Sequence, residues 1–477
     1  MLFNSLEFFL FFPIVTSLFF LVPHAWRWSL LLTASCAFYM AFIPKYILIL
    51  FLTIVVDYTA GILMERTPAG KLRRFYFVTS LIVTVAILAF FKYFNFLNDN
   101  AAQMAKLLHW NYGVESLSII LPIGLSFHTF QSMSYVIEVY RGNQRAEHHF
   151  GIYALYVMFY PQLVAGPIER PQNLLHQFRE QHVFDYERVT GGLKRMAFGL
   201  FKKVVIADAL AKVVDQVYNN LPEYTGYPLV IATICFAWQI YCDFSGYSDI
   251  ALGSAQVMGF RLMENFDRPY RARSVAEFWQ RWHMSLTTWF RDYVYIPLGG
   301  NRVSAGTWYS NLFVTFLISG LWHGANWTFV IWGALNGVYL ILSSLTAPLR
   351  NAVVDRIGIT AYPRFHHVFQ VFITFCLISF AWIFFRASSV QDALYIVSHL
   401  FDDLLGVSRR GRFAIDGFIL FFMLFMEYIH YAHRNGGMND LFAGRPLAVR
   451  WSLYYALVIC TVLFGSYSQQ RFIYFQF

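Results

Sequence analysis

Apolar runs of about twenty residues, divided by short polar loops, repeat along almost the whole chain. They cover Leu2–Val22, Trp28–Phe42 and Pro44–Met64. A basic loop follows, with Arg66, Lys71, Arg73 and Arg74. Phe77–Leu97 crosses back, a polar and nearly neutral loop covers Asn98–Glu115, and Leu117–Tyr140 is the next span. Later runs are Leu229–Phe260, Trp308–Leu345, Phe365–Phe385, Phe413–His430 and Trp451–Gly465. Segments of this length match the hydrocarbon thickness, and in lipid a helix satisfies its own backbone. The pattern predicts an all-α polytopic membrane protein.

Three stretches break the rhythm. Phe159–Pro171 holds Pro161, Pro167 and Pro171. It cannot form a clean spanning helix, and a re-entrant or broken segment is tolerated only where protein or water covers it. Phe184–Tyr218 is amphipathic and basic, with Lys194, Arg195, Lys202, Lys203 and Lys212. It predicts a helix on the cytoplasmic face, or simply an anchor to anionic lipid. Phe278–Gly300 mixes aromatic and basic residues, including Trp282, His283 and Trp289, and is too polar to face lipid.

Basic loops mark the cytoplasmic side. That rule puts loops 66–74, 141–149 and 431–450 inside, and the N-terminus and the tail Ser466–Phe477 outside. Arg409, Arg410 and Arg412 then lie outside, against the rule. The expected organisation is one integrated transmembrane domain over 1–465 and an extracytoplasmic tail over 466–477, since no soluble insert or linker interrupts the chain. No internal repeat of the transporter kind is visible. Met1–Leu21 lacks a basic leader and a cleavage site, so it reads as a retained first helix.

Composition agrees. The chain is 58% hydrophobic and 13% charged, where a soluble domain is nearer about 25% charged. The net charge of +9 belongs to cytoplasmic loops and gives no reason to expect nucleic acid; the lipid bilayer is the expected surrounding. Five cysteines lie in apolar segments without a CxxC pair, so neither disulfides nor a zinc site is predicted. The pairs His148–His149 and His366–His367 point in different directions on a helix, and no metal site is predicted there either. No GxGxxG, Walker A or GxSxG motif occurs.

One ionisable residue stands out. His323 sits within Ser319–Trp327, in the middle of an apolar run, and such a residue marks a functional site by default. Gly320 and Gly324 leave room beside it for a substrate or another helix. His323 is then either a base at the end of a narrow cavity or a histidine that bonds two helices together. On a helix, Ser319 at i−4 and Asn326 at i+3 share its face and either orient the ring or donate to the oxyanion, and with neighbouring Trp322 they are the candidate substrate-binding residues; ordinary interhelical hydrogen bonding is the alternative. Asp243 and Asp249 flank Gly246 in another apolar run, and at least one is expected to pair with Arg or bond to broken backbone.

Four long motifs now fall in order: Phe159–Arg170 (FYPQLVAGPIER), Tyr241–Asp249 (YCDFSGYSD), Glu277–Leu286 (EFWQRWHMSL) continuing through WFRDYVYIPLGG, and SGLWHGANW around His323. Together they resemble the membrane-bound O-acyltransferase family. Their spacing resembles the alginate O-acetyltransferase branch, which also contains peptidoglycan O-acetyltransferases and teichoic acid D-alanyltransferases. The resemblance covers residues 1–345 strongly and the rest loosely. It implies a ring of tilted helices, with re-entrant and interfacial helices, around a thin central tunnel. It implies that His323 and His283 are the catalytic pair. It implies an acyl donor that is a cytoplasmic thioester, acetyl-CoA or acyl carrier protein, with no bound cofactor. The implied partners are an extracytoplasmic SGNH-hydrolase-like acyltransferase and a polysaccharide synthesis and export complex.

Acyl transfer to oxygen needs a base and stabilisation of an oxyanion. His323 suits the base; His283 orients the donor, handles the second proton, or is a structural histidine bonded to a carbonyl. The tail Arg471–Phe477 (RFIYFQF) resembles the FxYFxF motif that ends some of these acyltransferases and a small partner of the D-alanylation system. It predicts that Tyr474 enters the outer funnel and relays the acyl group, with a greasy packed tail as the alternative. The expected function is acetyl transfer at a bacterial cytoplasmic membrane, for O-acetylation of an alginate-like exopolysaccharide or another envelope glycan. D-alanyl transfer to teichoic acid, a proton-coupled transporter or flippase, and a scaffold for a polysaccharide synthase are the rivals.

Overall fold

The computed structural model describes residues 1–118, 121–402, 417–432, 444–466 and 472–473. Every regular element among them is helical, apart from one isolated antiparallel bridge between Phe266 and Trp282. Among the described residues six helices are long and apolar enough to cross a membrane: Pro44–Arg66, Lys71–Leu107, Tyr227–Met258, Trp327–Leu345, Pro363–Arg386 and Leu447–Phe464. Leu6–Leu21 and Leu420–His430 are shorter apolar helices. Large apolar side chains such as Phe51, Ile82, Phe372 and Val462 stand exposed along these elements, which suits lipid as solvent. The chain is an all-α multi-pass membrane protein.

Several boundaries differ from the hydropathy pattern. The fourth helix runs through the expected loop to Leu107. Its polar end is held by the chain that folds back on it: Asn95 Nδ2 donates to the Leu117 carbonyl (2.8 Å) and the Tyr112 hydroxyl donates to Asn98 Oδ1 (2.7 Å). The next helix starts only at Leu125, after Pro122 and a left-handed Gly124. The run Trp308–Leu345 is two helices, Ala305–His323 and Trp327–Leu345. The amphipathic stretch is also two helices, Tyr186–Phe201 and Asp208–Tyr218, joined by a π-helical turn at Lys202–Ala207.

The chain forms two compact units. The first comprises Met1–Gly199 and Tyr247–Met263. In it Phe159–Arg170 is irregular and buried, as the prolines predict. Its backbone is covered by protein: the Tyr156 hydroxyl donates to the Glu169 carbonyl (2.9 Å), and buried Glu169 accepts from the Met263 N–H (2.5 Å). Burial pushes the Glu169 carboxyl up to about 7. Arg195 Nε meets Asp249 Oδ1 at 2.9 Å, so this acid has the arginine partner expected of it.

The second unit comprises Leu200–Gly246 and Glu264–Phe477. It holds both candidate histidines. Its core is aromatic, with Trp282, Trp332 and Trp382 almost fully buried.

Candidate active site

His323 is the last residue of its helix, and Gly324 leaves the helical conformation with φ −162° and ψ 152°. The Ala305–His323 and Trp327–Leu345 helices form a hairpin that the glycines permit. A Cβ on Gly320 would stand 2.3 Å from the Phe329 carbonyl oxygen, and one on Gly324 would stand 2.1 Å from the Phe329 ring. The room beside His323 is therefore filled by the returning helix. The imidazole, 5% exposed, is boxed by Trp322 (centroids 4.7 Å apart), Trp332 (4.9 Å) and Phe385 (5.2 Å).

The break at Gly324 corrects one expectation. Asn326 does not share a helical face with His323. It caps the following helix, where its Oδ1 accepts from the Thr328 N–H (3.1 Å) and its Nδ2 donates to the Ser388 carbonyl (3.0 Å). Both bonds belong to structure. Ser319 remains one turn before His323 in the same helix and is buried.

His283 lies between the short helices Val275–Arg281 and Met284–Phe290, with a left-handed backbone (φ 43°, ψ 54°). The segment beginning at Asn265 pins it. The Asp267 N–H donates to the Arg281 carbonyl and the Met284 N–H to the Asn265 carbonyl, both at 3.0 Å. Asn265 Oδ1 accepts from the Ser285 hydroxyl (2.6 Å) and the Ser285 N–H (3.3 Å). It lies 3.3 Å from His283 Nδ1. An oxygen that already accepts a backbone N–H is an acceptor, so Nδ1 carries the proton and Nε2 the lone pair. Burial pushes this imidazole down to about 3, so it is neutral at physiological pH.

The two histidines converge on Trp322. Its ring lies 6.2 Å from His283 and 4.7 Å from His323, centroid to centroid. Of the residues picked from the sequence, His283, His323, Trp322, Ser319, Asn326 and Asp243 fall in this second unit, and the first three are in ring contact. Tyr474 lies outside the described residues, as do Arg409, Arg410, Arg412 and Arg434.

The tail just before Tyr474 is described. Phe472 and Ile473 are 2% and 3% exposed. Phe472 packs on Phe244 (5.5 Å), and Phe244 stands edge-on to His283 (4.6 Å). The Ile473 N–H donates to Asp243 Oδ2 (2.8 Å). Lys203 Nζ meets the other Asp243 oxygen (2.5 Å) and Asp208 Oδ1 (2.9 Å). Lys202 Nζ donates to the Ser245 hydroxyl (2.9 Å). Lys202 and Lys203 are thus buried structural cations and do not anchor to lipid, which corrects the reading of the amphipathic stretch for these two residues. In the sequence, Lys203 is marked only as one of the basic residues of the amphipathic stretch and Phe244 only as part of the Tyr241–Asp249 motif, and nothing marks Asn265.

Comparison with known proteins follows the same motifs. A family model described as MBOAT, membrane-bound O-acyltransferase family, matches residues 144–390. A probable alginate O-acetylase, AlgI, of Pseudomonas aeruginosa is 39% identical over 410 residues, covering 84% of this chain and 75% of its own. A peptidoglycan O-acetyltransferase of Helicobacter pylori is 35% identical over 407 residues, covering 79% and 73%. A teichoic acid D-alanyltransferase of Streptococcus thermophilus is 26% identical over 294 residues, covering 56% and 69%.

Proposed function

The chain belongs to the membrane-bound O-acyltransferase family, and from that premise we propose that it carries an acetyl group across a bacterial inner membrane for O-acetylation of a cell-envelope polysaccharide. The observation that carries the reading to a site is the convergence of His283 and His323 on the Trp322 indole. The alginate O-acetylase and peptidoglycan O-acetyltransferase relatives are more similar to the chain than the D-alanyltransferase, which favours acetyl over D-alanyl. Membership in an acyltransferase family also favours acyl chemistry over proton-coupled transport.

In this reading the donor is a cytoplasmic thioester, of coenzyme A or an acyl carrier protein. His323 takes the proton from the attacking hydroxyl. The hydroxyl oxygen bonds to the thioester carbonyl carbon, the C–S bond breaks, and the sulfur leaves as a thiol after receiving a proton. The protonated His323 gives that proton to the departing sulfur, and His283, whose Nδ1 proton is held by Asn265, offers Nε2 as an acceptor that orients the donor. General-base assistance of this kind is worth roughly 10²–10⁴-fold. Trp322 and Ser319 line the reacting centre.

The attacking hydroxyl is that of Tyr474. Burial of Phe472 against Phe244, whose ring also meets His283, supports this relay. A second acceptor hydroxyl then attacks the aryl ester and regenerates the phenol. With the N-terminus and tail outside, that acceptor belongs to an SGNH-hydrolase-like acyltransferase serving a polysaccharide synthesis and export complex.

The test is acetyl transfer from radiolabelled thioesters of coenzyme A and of acyl carrier protein, in membranes bearing wild type, His323→Ala or Tyr474→Phe. Loss of labelling in both variants supports base and relay together. Full labelling of the glycan by Tyr474→Phe removes the relay, and full labelling by His323→Ala removes the site. Incorporation of D-alanyl but not acetyl label would transfer the reading to teichoic acid.

A further inference from the structure

The ion cluster beneath the tail has no part in the acyl chemistry above, yet it meets the tail at one residue from the proposed relay. Asp243 is 2% exposed, Lys203 7% and Asp208 1%. A carboxylate at such depth is costly and rarely idle. Lys203 serves both acids, at 2.9 Å to Asp208 and 2.5 Å to Asp243. That occupies Oδ1 of Asp243 and leaves Oδ2 aimed at the tail, where it accepts from the Ile473 N–H at 2.8 Å.

We propose that Asp243 is a positioning residue: its carboxylate anchors the backbone of residue 473 and so governs the rate of acyl transfer to the tail. This rests on the relay reading of Tyr474.

Three further contacts give the anchor its direction. The Ser466 N–H donates to the Val204 carbonyl at 2.8 Å, so the tail is tethered to the π-helical turn before it reaches Asp243. Phe472 lies on Phe244, in the same helix as Asp243 and one ring from His283. The anchoring bond is charge-assisted, of the stronger class of hydrogen bond. The cation beneath it persists: burial alone would lower the Lys203 pKa, but Asp243 and Asp208 together raise it. Lys203 thus fixes the carboxylate, and the carboxylate fixes the tail.

A main-chain donor makes the bond independent of the identity of residue 473, except for proline. Ile473→Pro removes the N–H while leaving the buried cluster intact, and Asp243→Leu removes the acceptor. The experiment follows single-turnover acetylation of the full-length protein in membranes, from a radiolabelled acetyl thioester, with the label mapped to the C-terminal peptide. Ile473→Pro and Asp243→Leu should each slow arrival of label at the tail by about tenfold or more, the scale of a lost charge-assisted bond, with the KM for the thioester unchanged. The double variant should be no slower than the slower single variant, since both break one bond. A purely structural Asp243 would instead give multiplying losses or a changed donor KM, and either result overturns the proposal. Wild-type rates in Ile473→Pro overturn it as well, even if Asp243→Leu fails to fold. Tyr474→Phe separates the two levels. If it loses the tail label while Ile473→Pro keeps it, only the anchor falls; if it keeps the label, the relay reading falls and takes the anchor with it.

Discussion

The imidazole of His283 lies 6.2 Å, centroid to centroid, from the indole of Trp322, the residue immediately before His323. Trp322 is therefore the physical link between two histidines that come from separate motifs. Trp322→Ala should lower the acetylation rate at least tenfold and cost about 3–5 kcal/mol of stability, as large-to-small core changes do. Trp322→Phe keeps an aromatic ring between them and should retain most of the rate. Equal activity in the alanine variant, measured on protein of matched abundance, would count against any coupling through this ring.

The hairpin behind His323 has no room for a methyl group at Gly320, where a Cβ would meet the Phe329 carbonyl oxygen at 2.3 Å and the Gly333 Cα at 3.1 Å. Gly320→Ala should destabilise by about 1–3 kcal/mol through overpacking, and should lower activity by shifting His323 in its box. Gly306→Ala is the control within the same helix, since nothing lies within 4 Å of its Cβ position. Melting in detergent should separate the two variants; coincident curves would refute the close approach.

Asn265 holds His283 by accepting from three groups at one oxygen. Asn265→Ala leaves the Ser285 and His283 donors without that acceptor, at about 1–3 kcal/mol for a buried polar group. It also releases the Nδ1 proton, so the rate should fall by more than the loss of folded protein explains. Asn265→Asp keeps the acceptor and should recover part of the rate. An aspartate variant no better than alanine would remove the tautomer argument.

The neutral imidazole of His283 has a pH signature. Above about pH 6.5 both folded and unfolded chains carry it neutral, and its titration costs nothing. Between about 6.5 and the folded value near 3, the unfolded chain binds a proton that the folded chain refuses, so stability falls as pH falls. His283→Gln should flatten the decline in melting temperature between about pH 7 and pH 5 relative to wild type. Parallel declines would show that His283 does not contribute.

Hydropathy made most of the helices legible, because lipid leaves the backbone few choices. The motifs around His283 and His323 were legible too. What the pattern could not supply was the geometry of short-range breaks and long-range bonds. Asn326 looked like a companion of His323 because one apolar run reads as one helix; the chain turns at Gly324, and Asn326 becomes a cap. Lys202 and Lys203 looked like surface charges because an amphipathic period places lysines toward water. Their partners Ser245 and Asp243 are set by tertiary structure alone, while Asp208 lies only five residues beyond Lys203. The bond from Ile473 to Asp243 spans nearly half the chain, and no local pattern announces it.

The π-helical turn at Lys202–Ala207 makes this stretch more sensitive to length than to composition. A π-turn is an α-helix with one residue too many. Deleting residue 205, 206 or 207 would let a regular helix close, rotating everything after it by about 100° relative to Lys203. Asp208 would swing away from the Lys203 ammonium without either side chain having been altered. A frame-preserving codon loss in this segment is thus expected to be more damaging than most substitutions within it.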